Sequence, residues 1–396
     1  MHKEQHNQAT LLLVGPFPGN GQNIGGVAIW NVRVVDEMAR RGKQVMVIPW
    51  YGRAPGSAAG SIELKASMTG WMWSFRSLLA PANILLLGRY LWRGYLRSIK
   101  ELYQFLRVFV YAAVATKRLD RSRPYVILSS HVGLRTVFAL LLRRRLSRTQ
   151  VVIDVHGVGA IETARTHGAF IRHLFGQADR VLVRSQFMKQ RCLHAGAREA
   201  DIEIIPCGIE VQPDAAMPEK KDWIIFCGAL EERKDPMTLL RAVPLIRNNL
   251  REKVRVLFIG EGPLRAEMEA FIRKHHLERM VELTGPLPNE KVNEYLRAAK
   301  ILVLPSTREP FGIVLIEALN AFTPCVITDV GGMPEIVDPQ VGMTVPLGDH
   351  QAIAAAVVEL FGDRSRWLQM ARAARKKALR YDMQKIGDTL QSTLGL

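Results

Sequence analysis

Two carboxylates, Glu309 and Glu317, bracket the run Pro310-Phe311-Gly312-Ile313-Val314. Upstream, Ala299 to Leu304 is an apolar run of strand length, and Val314 to Asn320 carries a helical pattern. The Pro-Phe-Gly turn therefore opens a helix at the carboxyl end of a strand. Ligands of α/β proteins bind at that end, and a helix start presents unpaired N–H groups to an anion. Carboxylates beside an anion site point to a ligand with both hydroxyls and phosphates, and a sugar nucleotide fits that description.

The elements that must position these groups alternate strand and helix along the chain, which predicts parallel sheets covered by helices. In the first half, strands are expected at Leu11–Val14, 44–49, 125–129, Val151–Val155, Arg180–Val183 and 203–206. A second series is expected at 223–226, 254–259, 281–283, 301–304 and 324–327. The prolines and mixed charges of 210–222 read as a linker. The fold class is thus α/β, with two doubly wound Rossmann-like domains facing across a cleft. Domain one covers 1–209 and domain two 223–375. A C-terminal helix at 376–396 is expected to return to the first domain.

The chain has 396 residues, ample for two well-buried cores, and carries a formal net charge of +17. That charge implies an anionic partner. No helix-turn-helix, zinc finger or aromatic RNA-binding motif accompanies it, so nucleic acid would rest on charge alone and is not expected. Cys192, Cys207, Cys227 and Cys325 show no metal-ligand or redox spacing, and the N-terminus lacks a signal-peptide core. A cytoplasmic location is expected. No Asp-x-Asp occurs, so no metal-bridged diphosphate and no cofactor are expected.

An insert at about 70–115 is basic and amphipathic: Arg89, Arg93, Arg97, Lys100 and Arg107 share one helical stripe, with Leu91, Trp92, Tyr95 and Leu96 on the other face. Such a segment reads either as an interfacial element on an anionic membrane surface or as a long helix packing its apolar face on the first sheet.

Taken in order, the motifs resemble the family 4 retaining glycosyltransferases, from Leu11 to about Gly348. The resemblance rests on Gly25-Gly26-Val27, on Ala178 to Ser185 with Ile204 to Glu210, and on Gly228 to Asp235. Glu309 to Glu317, Gly331 to Glu335 and Pro346 to Asp349 complete it. It implies the GT-B architecture and metal-independent transfer from a UDP- or GDP-sugar to a glycan, glycolipid or lipid-linked acceptor in cell-envelope or exopolysaccharide synthesis. A peripheral enzyme on the inner membrane face is the matching location. By the same resemblance Glu309 and His156 act at the transferred sugar. Gly25 and Gly26 approach the diphosphate, and Arg233 and Lys234 bind it with the first-turn amides of Phe311, Gly312, Ile313 and Val314. Glu317 accepts from ribose hydroxyls. Glu317 is embedded in an apolar helix, where a carboxylate needs partners. His131 has a setting like that of His156 after its own strand.

The chain departs from the family pattern at Ala229, where an arginine is usual, at Asp235 in place of glycine, and at Cys207 in place of asparagine. Two alternatives stay open: a sugar-nucleotide epimerase of the same architecture, and a non-catalytic membrane or polyanion-binding protein with a degenerate donor site, which Ala229 and the +17 charge support.

Overall fold

The run Leu11-Leu-Leu-Val14 is apolar on both faces, and all four side chains are fully buried in the interior of a sheet. Continuous rather than alternating apolar runs are what a parallel sheet with helices on both sides requires. The computed structural model describes residues 9–16, 26–51, 60–61, 112, 114–146, 148–157, 159–162, 164–212, 215–250 and 254–396. The expected basic amphipathic insert at about 70–115 and Gly25 thus fall almost wholly, and entirely in the case of Gly25, outside the described residues.

The chain divides into two units, one of Met1–Ile205 with Ile386–Leu396, the other Pro206–Lys385. In the first, strands β1 (Thr10–Pro16), β2 (Val45–Tyr51), β3 (Gly60–Ser61), β4 (Tyr125–Ser130), β5 (Thr149–Val155), β6 (Arg180–Val183) and β7 (Ile202–Ile204) form one sheet. Its order is β3-β2-β1-β4-β5-β6-β7, with every pairing parallel. Helices α1 (Gly26–Arg40), α2 (Leu134–Arg143), α3 (Ala164–Gln177) and α4 (Gln186–His194) belong to this unit. Ser185 caps α4 by accepting from the Met188 N–H at 3.2 Å.

The second unit repeats the plan. Its strands are β8 (Lys221–Cys227), β9 (Arg255–Ile259), β10 (Val281–Gly285), β11 (Ala299–Leu304), β12 (Cys325–Thr328) and β13 (Gly342–Val345). They run in the order β10-β9-β8-β11-β12-β13, again all parallel. Its helices are α5 (Pro236–Leu250), α6 (Arg265–Lys274), α7 (Asn289–Ala298), α8 (Ile313–Asn320), α9 (His350–Gly362) and α10 (Arg364–Ala378). Strand order reverses between β1 and β4 in one sheet and between β8 and β11 in the other. At such a switch point the loops after the two strands diverge and leave a crevice at their carboxyl ends.

The boundaries differ from those read in the sequence. The second unit starts at Pro206, inside the segment assigned to the first domain, and β8 begins at Lys221, inside the expected linker. Lys220 is the reason the last linker residues are ordered. Its ammonium donates to the carbonyls of Leu296 and Ala321 and to Thr323 Oγ1, at 3.3, 2.7 and 2.7 Å, and so satisfies the ends of α7 and α8. Burial, helped by the Arg297 charge, pushes its pKa down to about 7. At the other end the segment 376–396 holds the end of one helix and the whole of another. Helix α10 closes at Ala378, a 3-10 turn covers Leu379–Tyr381, and α11 spans Met383–Leu394. The turn lets Ile209 bond across the chain, with its N–H to the Tyr381 carbonyl and its carbonyl accepting from Met383, both at 2.8 Å. Among the described residues no helix is long and apolar enough to cross a membrane.

Candidate functional site

Three loops meet at the switch point of the second sheet. The loop after β8 carries Gly228 to Asp235, that after β11 carries Pro305 to Gly312, and that after β12 carries Asp329 to Gly332. Backbone bonds tie them together. Thr307 N–H donates to the Arg233 carbonyl at 2.9 Å, and Gly332 N–H donates to the Glu309 carbonyl at 2.9 Å. Thr328 Oγ1 donates to the Ser306 carbonyl at 2.6 Å. Lys234 and Glu309, far apart in sequence, form an ion pair whose side chains are only 14% and 9% exposed. The fold therefore brings a fixed cation and a carboxylate together in front of α8.

Two backbone positions make this possible. Gly312 caps α8 with φ 91°, in the left-handed region, where a Cβ would also run into Leu315. Gly331 has φ 64°, and a Cβ there would strike the Glu309 carbonyl oxygen. Ile313 and Val314 are half-buried in the first turn of α8, which has no acidic residue and no side-chain cap. Its leading amides and the positive end of its dipole are thus available to an anion. Glu317 lies one turn on, 8% exposed. Cys227, at the end of β8, has its thiol pushed up to about 12 by burial first and by the Glu317 charge second, with Lys234 opposing. Glu317 is therefore within electrostatic reach of the same corner as Lys234. Phe311 is buried and meets the Tyr381 ring edge-on at 6.0 Å and 72°.

Of the basic pair, only Lys234 joins Glu309. Arg233 is turned to Glu231, at 2.8 and 3.1 Å, on a more open flank. Of the three departures from the family pattern, Asp235 has a local explanation. Asp235 occupies φ 47°, the left-handed conformation for which glycine is usual. Its carboxylate accepts from Thr238 N–H at 3.2 Å and from Thr238 Oγ1 at 2.6 Å, capping α5. Aspartate tolerates this conformation better than most residues, and its cap offsets part of the strain. Ala229 sits in a tight turn, its carbonyl accepting from Glu231 N–H at 3.0 Å. Cys207 is buried.

The first unit holds a second cluster at the carboxyl ends of β4, β5 and β6. Gly26 is the first residue of α1, and that helix contributes Trp30 and Asn31. Asp154, fully buried on β5, is the hub: it pairs with Arg184 through Oδ1 and receives Trp30 Nε1–H on Oδ2 at 3.1 Å. His156 Nε2 meets the same Oδ2 at 2.9 Å. The Arg184 guanidinium also lies 4.4 Å from the Trp30 ring centroid and donates to the Ile205 carbonyl at 2.6 Å. Neighbouring His131 has φ 122°, unusual for a residue with a side chain. Burial, then Arg135 and His156, push its pKa down to about 4. Ser130 beside it donates to Asn31 Oδ1 at 2.8 Å, and Asn31 donates to the Pro16 carbonyl at 2.7 Å. Sequence reasoning singled out the two histidines but not Asp154, Arg184 or Trp30. The available signal was the acid inside Val151-Val-Ile-Asp-Val155, since a carboxylate on a buried strand must find partners.

The chain matches the family Glycosyl transferases group 1 over residues 210–377 and Glycosyltransferase Family 4 over residues 24–213. It is 27% identical over 410 residues to a D-inositol 3-phosphate glycosyltransferase of Corynebacterium diphtheriae, covering 96% of this chain and 91% of that one. Among solved structures, sucrose-phosphate synthase of Thermosynechococcus elongatus superposes with a TM-score of 0.74 at 19% identity, covering 97% and 98% of the two chains. Anabaena HepE in complex with UDP gives 0.74 at 18% identity, covering 98% and 100%.

Proposed function

We propose that this chain, which belongs to the family 4 glycosyltransferases and has their two Rossmann-like domains, transfers a sugar from a UDP- or GDP-sugar with retention of configuration and without a metal. The observation that carries the reading is the Lys234–Glu309 pair set before the Gly312-capped start of α8 at the sheet's switch point. Departure of a nucleoside diphosphate concentrates negative charge on the leaving oxygen, and fixed cations and N–H groups aimed there lower the barrier. Lys234 and the first-turn amides of α8 supply that charge, with Arg233 on the flank. Glu309, sharing Lys234, faces the carbon that becomes positive. Glu317 takes the ribose hydroxyls.

The acceptor in this reading is a glycan, glycolipid or lipid-linked sugar of the cell envelope. An anionic membrane surface serves as the docking partner through the basic amphipathic stretch at about 70–115. The net charge of +17 and the acid-free run from Leu64 to Lys100 support it. The UDP complex of Anabaena HepE supports a uridine nucleotide in the donor site.

The test is to incubate the protein with UDP-glucose or GDP-mannose, with and without EDTA, and follow free nucleotide and sugar. Nucleotide release that survives EDTA is expected, as slow hydrolysis without acceptor and faster with one. An isomerised nucleotide sugar with no release would overturn the reading in favour of an epimerase.

A further inference from the structure

Phe311 is the last side chain before the left-handed Gly312, so the placement of its ring sets where the first-turn amides of α8 begin. The residue is 6% exposed, and the ring of Tyr381 meets it edge-on at 6.0 Å and 72°. In that geometry the positive edge of one ring faces the negative face of the other, so the contact resists rotation as well as separation. We infer that Tyr381 is a positioning residue for the nucleotide-binding turn, holding Phe311 in place and carrying the occupancy of that turn to the segments where the chain enters and leaves the second unit. The nucleotide part of this inference rests on the proposed function, whereas the packing does not.

Tyr381 can do this because its own backbone is fixed. It closes the 3-10 turn Leu379–Tyr381, and its carbonyl accepts from Ile209 N–H at 2.8 Å. The Ile209 carbonyl accepts from Met383 N–H at 2.8 Å, and Asp382 Oδ1 accepts from Gln384 N–H at 3.2 Å. Ile209 and Met383 are both buried, so the two backbone bonds are made out of water. Ile209 follows the entry of the chain into this unit at Pro206, and Met383 precedes its exit at Lys385. Burial also pushes the Tyr381 phenol up to about 12, with Arg380 opposing and Glu335 and Asp338 adding to the rise. Tyr381 therefore touches the loop after β11 through Phe311 and lies within electrostatic reach of Glu335, just beyond the loop after β12. Those two loops are the ones joined by the bond from Gly332 N–H to the Glu309 carbonyl. All of these residues belong to the one unit Pro206–Lys385.

The experiment uses the full chain, UDP as the probe, and hydrogen exchange read by mass spectrometry over peptides covering 207–212 and 380–385. Saturating UDP should slow exchange of the Ile209 and Met383 amides in wild type several-fold. Tyr381→Leu keeps an apolar side chain and removes the ring. It should lose that slowing at saturating UDP and bind UDP about 3–10-fold more weakly, the equivalent of one aromatic pair. Tyr381→Phe keeps the ring and should match wild type in both measurements. A purely structural tyrosine would speed exchange equally with and without UDP in Tyr381→Leu and leave UDP affinity unchanged, which would refute the inference. Wild-type protein that binds UDP with no slowing at either amide would also refute it, and this decides even if Tyr381→Leu does not fold. Failure of both UDP and GDP to bind wild type would overturn the proposed function and the nucleotide part with it. The ring pair is tested apart from any nucleotide by urea unfolding of Tyr381→Leu, Phe311→Leu and the double variant. Their losses should be less than additive, and strict additivity would refute the contact.

Discussion

Substitution of Gly331 by alanine should disable the site by displacing the Glu309 backbone. Gly331 has φ 64° and Gly348 has φ 73°, so alanine at either place suffers the same left-handed strain, about 1–2 kcal/mol. Their surroundings differ. A Cβ on Gly348 meets nothing within 4 Å, whereas one on Gly331 runs into the backbone of Glu309. Backbone cannot swing aside as a side chain can. The Glu309 peptide must shift, and the Gly332 N–H bond to its carbonyl weakens, at a further cost of about 0.5–1.5 kcal/mol. Glu309 carries Lys234 with it. A displacement on the order of 1 Å at a reacting group costs roughly 100-fold in rate. Urea unfolding and donor turnover measured side by side should show Gly331→Ala losing about 2–3 kcal/mol and about 100-fold in kcat, by the strain and displacement terms together. Gly348→Ala should lose only the strain term and keep its turnover. Equal turnover in the two variants would refute the claim that Gly331 sets the position of Glu309.

Lys234→Ala and Glu317→Ala should each lower kcat/KM by roughly 100- to 1,000-fold in steady-state assays while the near-ultraviolet circular dichroism stays native. Asp235→Gly should change stability by less than about 1 kcal/mol, because relief of left-handed strain offsets the lost cap, whereas Asp235→Ala loses the cap and keeps the strain, at a cost of about 1–2 kcal/mol by urea titration. Lys220 makes stability depend on pH. Its folded pKa of about 7 lies below the unfolded lysine value, so between about 7 and 10 the unfolded chain binds more protons. The Lys220 contribution therefore falls as pH drops through that window and is level below it. The difference in unfolding free energy between wild type and Lys220→Met should change across pH 7–10, and a flat difference would refute the burial argument.

The second sheet was largely legible because its strands are continuous apolar runs ending in glycine- and proline-bearing loops, as at Ile301-Leu-Val-Leu304 before Pro305. The paired glutamates could be read for the same reason: Pro310-Phe-Gly312 marks a helix start. Strand β13 escaped because Gly342-Met-Thr-Val345 is short and only half apolar, and its pairing with β12 supplies what its composition lacks. Lys220 and Lys221 looked like linker because charge was read without the carbonyls that receive it. The Lys234–Glu309 pair and the Asp154 hub join residues distant in the chain, and no local pattern announces such a partner. Asp235 was read as damage to a glycine position, whereas the side chain supplies a helix cap that glycine cannot.

The most direct measurement of the central claim is thermal unfolding of the wild type and of Lys234→Ala with UDP, GDP and ADP, each with and without magnesium. A nucleotide present at about a hundred times its dissociation constant adds close to 3 kcal/mol to the stability of the folded form. UDP or GDP should raise the wild-type melting temperature equally with and without magnesium, and Lys234→Ala should lose most of that shift. A wild-type protein that ignores all three nucleotides, or a variant that responds as strongly as wild type, would contradict it.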